Sequence, residues 1–455
     1  MTPTRVVVAG GGVTGLAAAF TLHQEAARRG LAIELTVLDA SGTPGGHART
    51  IVEDGFVIER GPNGFLDRGA ETMALIEELK LGDRVVEANV ESKRRFILNG
   101  GALRQVPESP PALLTSDAIG WRGKLRLLRE PWAAPPPRDE DETIFAFAER
   151  RLGREAAETF VDTAVAGISA GDSRVLSVRS QFPVLKDWER EHGSLLKAMI
   201  ARQKQGMARP RLLSFDQGLG TLTSQLASQL SGMVREQSWI ERVDKVGERW
   251  RVHVADGSTT VADHIVFALP SHAAAAVVST FDAQLSAAMA SIPYADLAVV
   301  ALAYRVEAIG RPLSGYGYLV TRQENLSTLG VLWESSIFPN RAPAGYVLLR
   351  AMLGGARRPE VSALDDAALG QLAAKEVSKV LAAAGEPLRR WIIRWPSAIA
   401  QYTVGHDARI ATIRRLAAGH RGLHVCGTAY EGVSFNDAIA SGRKAARGIV
   451  QGLAA

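Results

Sequence analysis

Apolar and polar positions along the 455-residue chain follow two periods, and the switch between them divides the sequence. Arg5-Val6-Val7-Val8-Ala9 and Ile33–Leu38 are short β-branched runs, the pattern of strands buried on both faces. Between them, Leu16-Ala17-Ala18-Ala19-Phe20-Thr21-Leu22 predicts a helix. The α/β pattern returns from Phe215, where Asp216–Leu222 leads into a helix. Ile240–Val246 then alternates like a strand, Trp250–Ser258 reads as strand and hairpin turn, and His264–Pro270 is another buried run. Tyr294–Arg305, Tyr316–Val320, Leu329–Trp333 and Tyr346–Leu353 predict strands of one antiparallel sheet. Leu423–Gly442 resumes the first pattern.

Residues 99–205 differ in character. Pro107, Pro110 and Pro111 predict chain breaks, as do Pro135, Pro136 and Pro137. Glu140–Phe160 predicts a helix, with Ile144, Phe147, Ala148, Leu152 and Ala156 close to a 3.6-residue spacing. Within Ala118–Trp132, Arg122, Lys124, Arg126 and Arg129 interleave with Trp121, Leu125, Leu127, Leu128 and Trp132. That pattern fits a helix lying on an anionic bilayer, or one packing its apolar stripe on a neighbour.

The first strand runs into Gly10-Gly11-Gly12-Val13-Thr14-Gly15, and the second ends at Asp39, 24 residues past Gly15. Strand, G-x-G-x-x-G, helix, strand and terminal acid stand in the order of a dinucleotide-binding unit. Gly10 permits the tight turn, Gly12 the approach of a pyrophosphate, and Gly15 the packing of helix on strand. Asp39, with Ala40 beside it, is placed to meet a ribose diol. Six residues further, Gly45-Gly46-His47 supplies a second glycine turn. Gly61-Pro62-Asn63-Gly64 supplies a third.

Composition narrows the chemistry. With 46% hydrophobic and 22% charged residues and a net charge of +5, the chain is an ordinary globular protein with no nucleic-acid signature. Cys426 is the only cysteine, which excludes an internal disulfide and any cysteine-based zinc or iron–sulfur site. Nine scattered histidines form no helical ligand pair, so no metal is expected. The nucleotide motif at residue 10 and the lack of any apolar run of about 18 residues predict a cytoplasmic protein without a transmembrane helix.

The acid at the strand end followed by a paired glycine resembles the FAD-dependent amine oxidase and desaturase superfamily, although His47 stands where that superfamily usually has Arg. Within it, Gly61–Leu66, Arg94-Arg95-Phe96, Ala166–Asp172 and Gly315–Val320 resemble the protoporphyrinogen oxidase family. Ser336–Pro343, Trp395–Tyr402 and Tyr430–Asp437 with Ser441-Gly442-Arg443 do so in the same order.

The resemblance implies an α/β plus α+β architecture of three parts. The first is a Rossmann-like FAD-binding domain (1–88, 206–280 and 416–455), and the second an antiparallel-sheet substrate domain (281–415 with about 89–98). The third is a helical domain (99–205) that contacts a membrane. It implies FAD held by Gly10–Gly15, Asp39, Ala40, Gly45, Gly46, His47, Gly61–Gly64, Val243 (packing on the adenine), Trp395, Thr428, Val433, Ser434 and Phe435. It implies a tetrapyrrole positioned by Asn63, Arg95 (receiving a propionate), Gly167 (through its carbonyl), Ile168, Tyr316, Leu319, Leu332 and Met352. No side chain is implied as a general base. The implied reaction is six-electron oxidation of protoporphyrinogen by O2, giving H2O2. Coproporphyrinogen oxidation is the alternative, and an amine oxidase, a carotenoid desaturase or a non-catalytic flavoprotein stands further off. An anionic membrane surface and a second copy of the chain are the other partners implied.

Overall fold

The computed structural model describes residues 2–107, 110–134, 141–204 and 209–454. Two sheets organise these residues. The first is parallel, with strands in the order Val234–Arg235, Ile33–Leu38, Thr4–Ala9, His264–Phe267 and Leu423–Val425. Its strands come from three distant stretches of the chain, 4–38, 234–267 and 423–425. Helices Val13–Arg28 and Phe435–Ala454 cover one face, where Val6, Val8, Leu16 and Phe20 meet Ile439 and Ile449 in one core. The three-stranded layer Ile240–Val246, Arg249–Val254 and Thr259–Ala262 covers the other face, with fully buried Trp250 at its centre.

The second sheet has seven strands in the order Arg389–Ala400, Tyr294–Arg305, Tyr346–Gly354, Thr328–Leu332, Gly317–Val320, Phe96–Asn99 and Ala102–Gln105. The four strands expected to form one antiparallel sheet pair antiparallel with one another, and the sheet extends past them where Gly317–Val320 pairs parallel with Phe96–Asn99. The boundary expected at residue 99 moves. Gly100 and Gly101, at φ +64° and +71°, make a two-residue hairpin that carries the sheet on to Gln105. One face packs Leu349, Ala351 and Leu353 on the helix Asp366–Leu381. The other face puts Leu348 with Phe56 and Ile58, from a hairpin of the cofactor domain. That contact sets the two domains side by side.

Between residues 110 and 204 the described segments are helical. Pro110 opens the helix Pro110–Thr115 where a chain break was expected, since proline is tolerated in a first helical turn. The single helix expected over Glu140–Phe160 is interrupted at Gly153 (φ +90°) and resumes through a π-helical stretch, Ala157–Val161, into Asp162–Ser169. Pro135–Pro137 and Glu140 lie outside the described residues. The helix Trp121–Leu128 leaves Trp121 66% exposed and Leu125 and Leu128 each 49% exposed, and Trp132 just beyond it is 81% exposed. The two leucines are thus half covered and the two tryptophans mostly uncovered. Arg126 turns inward, donating to the carbonyls of Arg150 and Arg151, and is not part of the exposed basic face. No helix among the described residues is long and apolar enough to cross a membrane.

Candidate functional site

The three glycine turns meet at the C-terminal edge of the parallel sheet. Gly10 ends the first strand at φ +106°, and Gly12, in extended conformation, precedes the helix Val13–Arg28. A Cβ on Gly12 would find its nearest neighbour, the Gly46 Cα, 4.0 Å away, so the space above it is open. A Cβ on Gly15 would lie 1.9 Å from the Gly10 oxygen, and one on Gly442 would lie 2.2 Å from the Thr14 oxygen. Gly15 and Gly442 therefore let helices close on the strand and on each other, whereas Gly12 leaves room for a ligand. Val13 and Thr14 form the first helical turn, whose N–H groups have no side-chain cap.

Asp39 is 7% exposed. Its Oδ2 accepts the Gly11 N–H (2.8 Å), and its Oδ1 accepts the Ser41 N–H (2.9 Å) and the Ser41 hydroxyl. The expected ribose acceptor thus first ties two loops together, and a diol would share it through remaining lone pairs. Ala40 is exposed beside it. The Gly45 N–H donates to the Gly11 oxygen (2.7 Å), with Gly45 and Gly46 at φ +122° and +56°. The first two turns therefore run backbone against backbone.

His47 sits edge-on to Trp395, with centroids 4.2 Å apart, and the Trp395 Nε1 donates to the Arg60 oxygen (2.6 Å). Desolvation by the surrounding protein, then the Arg49 and Arg60 cations, lower the His47 pKa to about 4. Because the ring is still open to solvent, the two cations are the more durable cause. His47 is therefore neutral near pH 7, and the positive charge comes from residues the sequence reading passed over. Arg49 donates only to the carbonyls of Gly46 (3.1 Å) and Thr43 (3.3 Å). Arg60 lies 5.2 Å over the Trp395 ring, and its buried Nε has no hydrogen-bond partner. Neither has a carboxylate in ion-pair range among the described residues. Their signal in the sequence was an arginine close to each glycine turn, in Gly45–Arg49 and in Arg60-Gly61.

Gly61 and Gly64 are wedged, since Cβ atoms there would lie 2.5 Å from the His47 oxygen and 2.7 Å from the Leu213 oxygen. Pro62 and Asn63 form the tip between them. The C-terminal loop closes the same edge of the sheet. Tyr402, which is not among the expected site residues, donates its hydroxyl to the Thr428 oxygen (2.7 Å) and accepts the Gly432 N–H (2.8 Å). Val433 and Ser434 then lead into the helix Phe435–Ala454, capped by Ser434 with Asp437. The Phe435 side chain is buried against Phe65, with rings 5.8 Å apart, so only its backbone remains for a ligand. Val243 needs a similar correction. Its side chain is fully buried with Trp250 and Val252 and has no free face for an adenine, because the covering three-stranded layer uses it as core.

Open space above Gly12, an uncapped helix start and two cations without carboxylates fit a dinucleotide pyrophosphate. The helix Phe435–Ala454 can set its positive end toward the ring system, where reduction builds negative charge.

The substrate-side residues gather across the domain boundary. The Asn63 Nδ2 donates to the Tyr316 hydroxyl (3.0 Å), joining the third glycine turn to the large sheet. Burial raises the Tyr316 pKa, so the phenol stays protonated. Tyr316, Leu332 and Met352 share one apolar cluster with Ile337 and Phe338. A Cβ on Gly167 would lie 2.5 Å from Leu319, which brings helix Asp162–Ser169 onto the same wall. Left-handed Ala170 stops that helix, so its last carbonyls, Gly167 among them, lack a following turn of N–H groups. Ile168 is 55% exposed. The exposed Arg95 guanidinium lies 5.4 Å over the Tyr316 ring and has no carboxylate partner among the described residues. Cys426 is buried, with its thiol pushed up to about 12 by desolvation, and is inert. No cluster of three or more metal-ligating side chains occurs among the described residues.

The chain is similar to known proteins over nearly its whole length. Human protoporphyrinogen oxidase is 32% identical over 97% of this chain and 97% of its own. Coproporphyrinogen III oxidase of Bacillus subtilis is 29% identical over 97% of this chain and 96% of its own. A crystal structure from Exiguobacterium sp. 255-15, of a protein provisionally named protoporphyrinogen oxidase, superposes with a TM-score of 0.87 at 25% identity, covering 99% of this chain and 100% of that one. The family profile described as flavin containing amine oxidoreductase matches residues 13–450, so the chain belongs to that family and is a flavin-dependent oxidoreductase.

Proposed function

We propose that the protein binds FAD and oxidises protoporphyrinogen IX to protoporphyrin IX with O2 as acceptor, releasing H2O2. The observation that carries this reading is the joint placement of Arg95, Tyr316, Leu332, Met352 and the Gly167 helix end opposite the glycine turns. A flavin supplies the two-electron acceptor that the chain's own side chains lack, and three rounds account for six electrons. Gly12, the start of the first helix, Arg49 and Arg60 hold the pyrophosphate, and Asp39 shares its carboxylate with the ribose. Thr428, Val433 and Ser434 face the ring system through their backbone.

On the substrate side, Tyr316, Leu332 and Met352 offer an apolar wall that excludes water from the macrocycle. Arg95 holds a propionate, and its neighbour Tyr316, kept protonated by burial, keeps Asn63 in place beside the ring. The Gly167 carbonyl is an acceptor for pyrrole N–H groups. Orientation and exclusion of water are thus the tasks of the protein.

The Bacillus subtilis relative favours a second reading, coproporphyrinogen III as substrate, at nearly the same identity. Purified protein offered each porphyrinogen in air, with porphyrin fluorescence and peroxide as readouts, decides between them. Turnover of protoporphyrinogen alone supports the first reading, turnover of coproporphyrinogen alone transfers the assignment, and turnover of neither removes both. The exposed stripe Trp121, Leu125, Leu128 and Trp132, flanked by Arg122 and Arg129, further supports docking of this helix on an anionic bilayer.

A further inference from the structure

Four charged side chains lie behind the third glycine turn, each at most 2% exposed: Glu59, Glu334, Arg341 and Arg350. Glu59 precedes the turn, whereas Glu334, Arg341 and Arg350 follow one another between residues 334 and 350, and the Arg341 guanidinium lies 5.1 Å over the Phe338 ring of the apolar cluster. Glu59 ends the strand that leads into Arg60-Gly61-Pro62-Asn63. Its Oε2 accepts the Thr50 hydroxyl (2.7 Å), its Oε1 accepts the Leu219 N–H (2.8 Å), and Arg341 stands 3.5 Å away. Arg341 in turn donates to the Ser214 hydroxyl (2.8 Å) and the Phe215 oxygen (3.3 Å). This half pins the root of the turn to the cofactor domain.

Arg350 belongs to the other domain. In the strand Tyr346–Gly354, side chains alternate faces, so Leu348, Arg350 and Met352 point the same way. Leu348 packs on the cofactor-domain hairpin, and Met352 belongs to the cleft wall. Between them, Arg350 reaches across the boundary and donates through Nη1 to the oxygens of Glu59 (3.2 Å) and Gly61. Its Nε stands 2.7 Å from the Glu334 Oε1, a charge contact without hydrogen-bond alignment. A buried pair of this kind often adds little stability over an apolar replacement, so its presence calls for a reason in positioning.

We propose that the Glu334–Arg350 pair is a positioning device that sets the height of the Gly61–Gly64 turn against the substrate sheet, and so fixes the Asn63–Tyr316 contact at the substrate. Arg350 grips the carbonyl that begins the turn, and Glu334 holds the guanidinium in place. The inference rests on the porphyrinogen reading only for what the turn is positioned against.

The paired variant Arg350→Met with Glu334→Leu removes both charges together, which avoids leaving one of them buried alone. It should remain folded and retain its flavin, while amide exchange of Asn63–Leu66 quickens at least tenfold and protoporphyrin IX binds about tenfold more weakly. In a Tyr316→Phe background, where the contact is already broken, the paired change should weaken porphyrin binding by less than twofold further. Arg350→Lys keeps the charge but loses the Nη1 that reaches both carbonyls and the Nε beside Glu334, and it should show the same faster exchange if the paired variant does not fold. Unchanged exchange in whichever variant folds, or fully additive losses in the Tyr316→Phe background, would overturn the inference. A parent protein inert toward both porphyrinogens would instead remove the functional reading, with the exchange result still deciding whether Arg350 positions the turn.

Discussion

The two sides of the cleft are built from different materials. The cofactor side is mainly backbone: Gly15, Gly46, Gly61 and Gly64 bring main chain to within contact of main chain. The substrate side is almost all side chain, with Tyr316, Leu332 and Met352 projecting from strands and Arg95 laid over a ring. Backbone geometry tolerates no added atom where chains already touch. A side-chain wall can lose one member and keep its shape. Substitutions on the two sides should therefore fail differently.

The sharpest break is within the first glycine motif. Gly15→Ala places a methyl group 1.9 Å from the Gly10 oxygen, with backbone on both sides unable to yield, and should cost about 3 kcal/mol or more of stability. At Gly12 the nearest neighbour of an added Cβ is the Gly46 Cα at 4.0 Å, and φ is an ordinary −71°. Gly12→Val should cost only about 1 kcal/mol, as an unfavourable N-cap residue, yet purify colourless. Thermal unfolding together with visible absorbance separates the two. A yellow Gly12→Val protein would show that the pyrophosphate lies elsewhere.

On the substrate side, Arg95→Ala should leave fold and flavin untouched, because its exposed guanidinium lies over the face of Tyr316 and has no carboxylate partner among the described residues. Losing a charge-assisted contact to a propionate costs about 1.5–3 kcal/mol, or roughly ten- to a hundredfold in kcat/KM. The loss should exceed a change in affinity alone, since the macrocycle would also turn in its slot. Steady-state kinetics equal to the parent with protoporphyrinogen would remove Arg95 from substrate recognition.

These two sides were unequally legible in the sequence. A glycine required by a close approach leaves a local mark, so the turns at Gly10–Gly15, Gly45-Gly46 and Gly61–Gly64 could be placed from spacing alone. Asp39 stood where spacing put it, but its use as a loop tie depended on Ser41, which no motif singles out. Residues that act through partners hundreds of positions away left no such mark. Arg350 meets Gly61 across 289 residues, and Arg341 meets Phe215 across 126. Val243 shows the converse, where resemblance assigned adenine packing to a side chain that the core has already used.

A smaller effect is expected at the helix Trp121–Leu128. Trp121→Ala with Trp132→Ala removes the two most exposed aromatic rings of the stripe, and Arg122→Glu with Arg129→Glu reverses the charge beside them. Each pair should lower co-sedimentation with anionic vesicles several-fold, and the charge pair should lose its effect at high salt, since screening acts within about 8 Å at physiological ionic strength. Catalysis in detergent should not change, because neither pair reaches the cleft. Equal sedimentation of parent and variants would leave the exposed stripe without a membrane role.

The smallest effect should appear on acidification, and on the cofactor side. His264 and His424 stand on neighbouring strands of the parallel sheet, with Nδ1 and Nε2 3.1 Å apart. One ring must donate and the other accept, so the contact requires at least one neutral ring. Burial, then the neighbouring His264, lowers the His424 pKa to about 4. Burial likewise lowers that of His264, with Asp263 opposing and Arg421 assisting. Both folded values lie below the ordinary value of about 6.5, so the unfolded chain binds more protons between pH 6.5 and 4. Stability from the pair is therefore present above pH 6.5 and falls as pH drops toward 4. Because both rings are partly exposed, the loss between pH 7 and 5 should be about 1 kcal/mol, below the full linkage value. His424→Gln keeps a donor and an acceptor for His264 without the second titrating ring. Its urea midpoint should fall less than the parent's between pH 7 and 5, and equal falls would show that the pair does not govern acid stability.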